Sequence, residues 1–151
     1  MLKGLSYVLS AALSVMAMAA ATIVVAADFG TADEAKAMLE RAVAAVKADK
    51  AKALAMFIKG EGGFKDRDLY PFCGGPDGNF TAHPSLVGKS LKDLKDKAGK
   101  ALGAEIYKVA QEGKISEVTY MWPRPGSTEP VQKVSFVTKA GDQICAVGYY
   151  K

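Results

Sequence analysis

The chain begins with an uncharged stretch that differs from everything downstream. After Lys3, no charged residue occurs from Gly4 to Ala27, and alanine, valine, leucine and methionine dominate. A basic start, an apolar run and small residues at its end are typical of a secretory signal peptide. We predict a signal peptide over residues 1–27, cleaved after Ala26 or Ala27. An uncleaved membrane anchor is the alternative, because the uncharged stretch is long enough to cross a bilayer.

From residue 28 onward the apolar positions first follow a helical period. Thr31 and Glu34 form a Thr-x-x-Glu capping box, and apolar residues then recur at helical spacing as far as Val46. Asp49 is a second N-cap candidate, and a glycine cluster that starts at Gly60 ends the pattern. The sequence therefore predicts either a helix pair or one long helix with a kink near Asp49.

The rest of the chain alternates strand patterns with turns. Strands at 69–73 and 79–83 flank a turn rich in glycine, proline and aspartate, which predicts a hairpin. A weaker helical pattern covers about residues 91–112. Three more strands then follow, over residues 115–122, 131–138 and 143–150. Their spacing predicts an antiparallel meander, so the fold class is α+β, with a mostly antiparallel five-stranded sheet and a long N-terminal helix.

Composition narrows the functional classes. Lys and Arg number 20 against 16 Asp and Glu, and the two signs are interspersed, so we expect no nucleic-acid partner. One histidine and two cysteines are too few for most zinc sites, and no Cys-x-x-Cys-His sequence could attach a haem. We therefore expect no metal and no cofactor. Residues 28–151 are enough to form one hydrophobic core, so we predict a single domain over them. The predicted signal peptide places this domain in the periplasm or outside the cell.

The two cysteines, Cys73 and Cys145, suggest a disulfide. An even number of cysteines in an exported chain favours pairing, because extracytoplasmic compartments are oxidising. The alternative is a pair of buried free thiols. A bridge would close a loop of about 70 residues and add roughly 4 kcal/mol by restricting the unfolded chain.

A series of short motifs runs through the chain: Leu69-Tyr70-Pro71-Phe72-Cys73, Asp77-Gly78, Ala82-His83-Pro84, Val87-Gly88, Asp96 to Gly99, Tyr120-Met121-Trp122-Pro123, Lys133 and Gly148-Tyr149-Tyr150. In order and spacing the series resembles the single Cache domain family, the extracytoplasmic ligand-sensing modules of bacterial chemoreceptors and histidine kinases. The resemblance implies a PAS-like sheet with a small-molecule pocket on one face. In that strand order the first and last strands are neighbours, which makes a bridge between the two cysteines geometrically possible.

The strongest site candidates lie on two consecutive predicted strands. Tyr120 and Trp122 are two residues apart and so share one face of a strand, and Lys133 lies on the next strand. Aromatic walls with one cation suit a small organic anion. The alternative is a core cluster of aromatic rings beside an exposed lysine. His83, the single histidine, is predicted either to hydrogen-bond a carboxylate ligand or to pin the loop before Pro84.

Three further residues, Tyr70, Arg124 and Tyr149, are predicted at the edge of the same site. We predict a non-catalytic, exported domain that binds an organic acid or a similar polar metabolite. Because the family usually feeds a transmitter, we expect it to act through a separate membrane receptor or kinase. One alternative is a small hydrolase that uses His83, although Asp77 and Ser85 form no recognisable triad with it. The other is a structural or interaction protein whose sheet face is filled.

Overall fold

The computed structural model describes residues 27–151, so the signal-peptide prediction lies outside the described residues except for Ala27. The described elements are α1 (Ala32–Ala48), α2 (Lys50–Lys59), β1 (Pro71–Gly74), β2 (Phe80–Ala82), α3 (Leu102–Val109), β3 (Ser116–Pro123), β4 (Pro130–Ala140) and β5 (Gln143–Tyr150). The strands form one sheet in the order β2-β1-β5-β4-β3, and every neighbouring pair is antiparallel. The predicted fold class is therefore confirmed. None of these helices combines the length and apolar character that a membrane crossing requires.

The helix pair forms where its capping signals predict. The Thr31 hydroxyl accepts a hydrogen bond from the Glu34 N–H at 3.3 Å, and the Glu34 carboxylate accepts one from the Thr31 N–H at 2.8 Å. Asp49 has an extended backbone that ends α1, and its carboxylate caps α2 by accepting from the Lys52 N–H at 3.1 Å. Gly60 ends α2 in the left-handed conformation, with φ at 70°.

The sheet separates two cores. On one face, α1 and α2 bury residues such as Met38, Leu39 and Phe57 against β1, β4 and β5. Cys73 on β1 and Cys145 on β5 stand directly opposite each other in this core, and they form the predicted disulfide. The bridge ties the short hairpin β1–β2 to the long strands of the meander.

The prediction of a helix over residues 91–112 is wrong for its first half. Only α3 is helical there, and residues 84–101, which we call the cover, form an irregular segment that crosses the second sheet face. Asp96 explains the irregular backbone, because its carboxylate accepts from the N–H groups of Ala98, Lys100 and Met121 at 2.8–2.9 Å. Burial alone would raise the pKa of Asp96, but these three donors lower it.

Gly103 holds the start of α3 against the cover. A Cβ atom at Gly103 would collide with the carbonyl oxygen of Leu91, so only glycine permits this approach. The Gly103 N–H also donates to the Leu94 carbonyl at 2.9 Å. The cover is therefore fixed at both ends of its apolar stretch, by Asp96 to β3 and by Gly103 to α3.

Candidate ligand-binding site

The second sheet face carries the aromatic residues and the lysine that the sequence singled out. Tyr120 and Trp122 on β3 belong to the core under the cover. Lys133 on β4 pairs with Tyr120 on one side and with Tyr150 of β5 on the other. Lys133 and its two neighbours therefore present their side chains to the same face, and Lys133 is buried rather than exposed, contrary to the core-cluster alternative.

A pocket lies between this face and the cover. The cavity itself holds about 20 Å³, which is room for roughly one water molecule, within a cleft of about 280 Å³ that opens to solvent. Most of its wall is apolar. The lining residues are Tyr70, Phe72, Phe80, His83, Leu86, Leu94, Leu102, Ile106, Tyr120 and Trp122. Four of the predicted ligand-binding residues are thus brought together here: Tyr70, His83, Tyr120 and Trp122.

Lys133 does not itself line this pocket, but it contacts Tyr70, which does, and only 1% of its surface is exposed. Its ammonium group is 4.6 Å from the ring centroids of both Tyr70 and Tyr150, and it donates one long hydrogen bond, at 3.4 Å, to the Tyr70 hydroxyl. Within residues 27–151, no carboxylate lies within ion-pair distance of it. Burial lowers the pKa of Lys133 to about 7, although the charge of Asp68 acts in the opposite direction.

Gly148 makes room for the stem of Lys133. A Cβ atom at Gly148 would lie 2.5 Å from Lys133 Cε and 2.5 Å from the Ser135 hydroxyl oxygen. Ser135 in turn shares a hydrogen bond of 2.8 Å with the Tyr120 hydroxyl. The predicted edge residue Tyr149 does not reach the second sheet face, because its ring stacks on Phe136 in the core beneath the helices. The site residues predicted from the sequence did not include Gly148 and Tyr150. Their alternation on the last predicted strand was the available signal, but the register that brings them to Lys133 is a property of the sheet.

His83 is held as a neutral ring. Its Nδ1 accepts from the Ser85 N–H at 3.0 Å, which places the ring proton on Nε2. Burial, followed by the positive charge of Lys133, lowers the pKa of His83 to about 4. This arrangement contains no catalytic triad of the kind that the hydrolase alternative requires. Ser85 bonds to His83 through its backbone N–H rather than its hydroxyl, and the Asp77 carboxylate accepts hydrogen bonds from Asn79. In residues 27–151, no three His, Cys, Asp or Glu side chains cluster as metal ligands.

Arg124 is placed outside the pocket lining. Its guanidinium donates to the buried carboxylate of Asp68 at 2.9 Å and lies between the rings of Phe29 and Tyr150, at 4.0 and 4.6 Å from their centroids. The predicted edge cation is therefore paired with a counter-ion, and neither residue lines the pocket. Nothing local in the sequence links Asp68 to Arg124, since 56 positions separate them.

The fold and this face define an α+β domain with an aromatic pocket and a buried cation, Lys133, in contact with one of its lining residues. The family model described as Cache domain matches residues 35–149, so the chain belongs to the Cache domain family. Members of this family are extracytoplasmic sensor domains, a non-enzymatic class. The family resemblance seen in the sequence motifs is therefore confirmed.

One chemotaxis protein is similar to part of this sequence. Methyl-accepting chemotaxis protein McpP of Pseudomonas putida is 36% identical over 56 residues, which are 37% of this chain and 10% of that protein. The matched segment thus spans about a tenth of that curated relative.

Three solved structures are similar to this chain over most of their length. A methyl-accepting chemotaxis protein from Vibrio parahaemolyticus is 26% identical, with a TM-score of 0.63 over 78% of this chain and 86% of that one. The periplasmic sensor domain of a chemotaxis protein is also 26% identical, with a TM-score of 0.59 over 78% and 88%. A Cache chemosensory domain that recognises carboxylic acids is 23% identical, with a TM-score of 0.54 over 76% and 84%, a likeness of fold.

Proposed function

We propose that this Cache domain binds a small organic acid between the sheet and the cover, and that it acts in signal transduction through a separate membrane receptor or kinase. The observation that carries the proposal is the buried Lys133, which has one long hydrogen bond and no ion-pair partner in residues 27–151. A buried ammonium without a counter-ion is costly, and a ligand carboxylate would supply charge-assisted hydrogen bonds to its unused donors.

The shape and polarity of the pocket favour a short monocarboxylate. The cavity is small, so the ligand would enter by displacing the cover slightly and would carry few carbon atoms. Its apolar chain would contact Trp122 and the leucines of the wall, while His83 Nε2 offers a second, neutral donor. One solved Cache domain with this fold recognises carboxylic acids, which is consistent with this class by analogy only.

The first test compares an anion with its neutral isostere. We expect propionate to bind the purified protein in a calorimetric titration, and propionamide to bind at least about tenfold more weakly, because the amide carries no charge for Lys133. Succinate should also bind weakly, since its second carboxylate would be buried without a cation. Equal affinities for propionate and propionamide would show that Lys133 does not recognise the ligand.

The second test is the pH dependence of propionate binding. Lys133 has a pKa of about 7 in the free protein, and a bound carboxylate should raise it. Below pH 7 the proton is already present, so the affinity should be constant. Above pH 7 binding must take up a proton, and the affinity should fall by up to about tenfold per pH unit. His83 stays neutral over this range, because its pKa is about 4.

Titrations at pH 6, 7, 8 and 9, each in two buffers of different ionisation enthalpy, measure both the affinity and the proton uptake. An affinity that does not change between pH 6 and pH 9 would contradict the role of Lys133. The Lys133→Met variant provides the control, since no propionate binding should be measurable in it at any of these pH values.

One observation favours a second candidate function, an interaction protein with a filled sheet face. The cavity has room for only about one water molecule, so the face is nearly packed. In that case no organic acid should raise the melting temperature of the protein, whereas a ligand at a hundred times its Kd adds about 2.7 kcal/mol to the free energy of unfolding and so raises the melting temperature.

Export through a cleaved signal peptide over residues 1–27 remains a prediction, which N-terminal sequencing of the exported protein tests.

A further inference from the structure

Both ends of the described chain meet at the guanidinium of Arg124. The ring of Phe29, near the start, lies 4.0 Å from it, and the ring of Tyr150, near the end, lies 4.6 Å from it. The Tyr150 hydroxyl donates to the Pro123 carbonyl at 2.7 Å, which holds this ring beside the loop of Arg124. Asp68 completes the group by accepting from Arg124 at 2.9 Å. We call Asp68 and Arg124 the clamp.

The clamp holds residues 27–30, which we call the leading segment. Asp68 Oδ1 accepts from the Gly30 N–H at 2.7 Å in a buried hydrogen bond, while its other oxygen binds Arg124. The preceding residue, Arg67, donates to the carbonyls of Ala27 and Phe29 at 3.4 and 2.9 Å. Arg67 has a φ of 55°, which is uncommon for a residue other than glycine. Two consecutive residues therefore secure the leading segment, one of them in a strained conformation.

The same clamp is adjacent to the cation of the candidate site. The Tyr150 ring has Lys133 Nζ at 4.6 Å and Arg124 Cζ at 4.6 Å from its centroid, so two cations share one ring. Asp68 acts on both cations, because it binds Arg124 directly and its charge favours protonated Lys133 from beyond ion-pair distance. Two like charges in contact with the same ring repel each other in a partly desolvated environment. If Lys133 were neutral, the carboxylate of Asp68 would interact with the charge of Arg124 only.

We propose that the Asp68–Arg124 clamp couples occupancy of the pocket to the order of the leading segment. A carboxylate bound to Lys133 cancels one of the two cations at Tyr150. Asp68 then holds Arg124 and the Gly30 N–H more tightly, and the leading segment becomes more firmly attached. The ligand in this coupling rests on the proposed function, but removing the Lys133 charge by mutation tests the coupling without any ligand.

The decisive experiment is hydrogen exchange of the full protein at pH 6, without ligand, in the parent and in Lys133→Met. Exchange of the Gly30 amide should become at least about fivefold slower relative to the Ala53 amide, the lower end of usual coupling between sites. Ala53 donates to Asp49 at the start of α2, away from the clamp, and corrects for any change in overall stability. An unchanged ratio of the two rates overturns the coupling, whether or not any acid binds.

A second experiment uses the reciprocity of coupled equilibria. Phe29→Ala removes the contact between the Phe29 ring and the Arg124 guanidinium, and Phe29 does not line the pocket. The variant should bind propionate about fivefold more weakly. Ile58→Ala, at a comparably exposed apolar residue (39% against 50%), should leave the affinity unchanged. If Phe29→Ala binds propionate as tightly as the parent, the coupling is wrong. If the parent itself does not bind propionate, the proposed function fails, and the exchange ratio at Gly30 still decides the coupling.

Discussion

Lys133→Met should make the protein more stable and, at the same time, abolish carboxylate binding. Methionine is similar in length to lysine and can keep the contacts with Tyr70 and Tyr150, but it has no charge to desolvate. The pKa of Lys133 falls from 10.5 to about 7 on folding because burial penalises the charged amine. We expect the variant to gain about 1–4 kcal/mol at pH 6, the range known for replacing buried ion pairs by well-packed apolar side chains.

The pH dependence of stability distinguishes this gain from ordinary repacking. Below pH 7 both the folded and the unfolded parent carry the proton on Lys133, so the cost of the buried charge is complete. Between pH 7 and 10.5 the unfolded chain binds more protons, and the stability of the parent should rise with pH. Urea denaturation at pH 6 and pH 9 should therefore show the difference between Lys133→Met and the parent shrinking at the higher pH.

Lys139→Met is the matched control, because Lys139 lies on the same strand with an exposed side chain. Its stability should stay within about 0.5 kcal/mol of the parent. A Lys133→Met variant that is less stable than the parent at pH 6 would mean that the buried amine contributes to the fold. A stabilised variant that no longer binds propionate is instead the result expected of a binding group kept at a cost to stability.

Replacing Cys73 and Cys145 together by alanine should lower the free energy of unfolding by roughly 4 kcal/mol. The bridge closes a loop with a sequence separation of 72, and its main effect is to restrict the unfolded chain. Both cysteines are fully buried in the core beneath the helices, on the opposite face of the sheet from the pocket. Propionate affinity should therefore be unchanged under conditions in which the variant is folded.

Denaturation with and without a reducing agent provides the control for this result. The reductant should destabilise the parent, because it captures the unfolded chain in its reduced form, and should leave the double variant unaffected. Equal stability of the parent and the double variant would show that the bridge adds nothing to the fold. Weaker propionate binding by a folded variant would show that the two faces of the sheet are coupled.

The elements that the sequence predicts correctly depend on local signals. The capping box at Thr31 and Glu34 involves residues three positions apart, and alternation along a strand places Tyr120 and Trp122 on one face without reference to other strands. The hairpin and meander follow from turn residues between short apolar runs. The even count of cysteines and the predicted export favoured the bridge over free thiols, and the structure contains it.

The parts that the sequence does not determine depend on contacts between distant residues. Residues 91–101 have a helical pattern, but two tertiary contacts hold them in the irregular cover. The Asp96 carboxylate accepts a hydrogen bond from the Met121 N–H, 25 positions further along the chain, and Gly103 approaches the Leu91 carbonyl closely. The burial of Lys133 depends on strand register and on the space above Gly148. By itself the sequence determined which residues are aromatic or charged and which of them share a strand face. Only the tertiary structure decided that Lys133 is a desolvated cation without a counter-ion in residues 27–151 and that Arg124 has one, because a charge acquires its environment from residues packed around it.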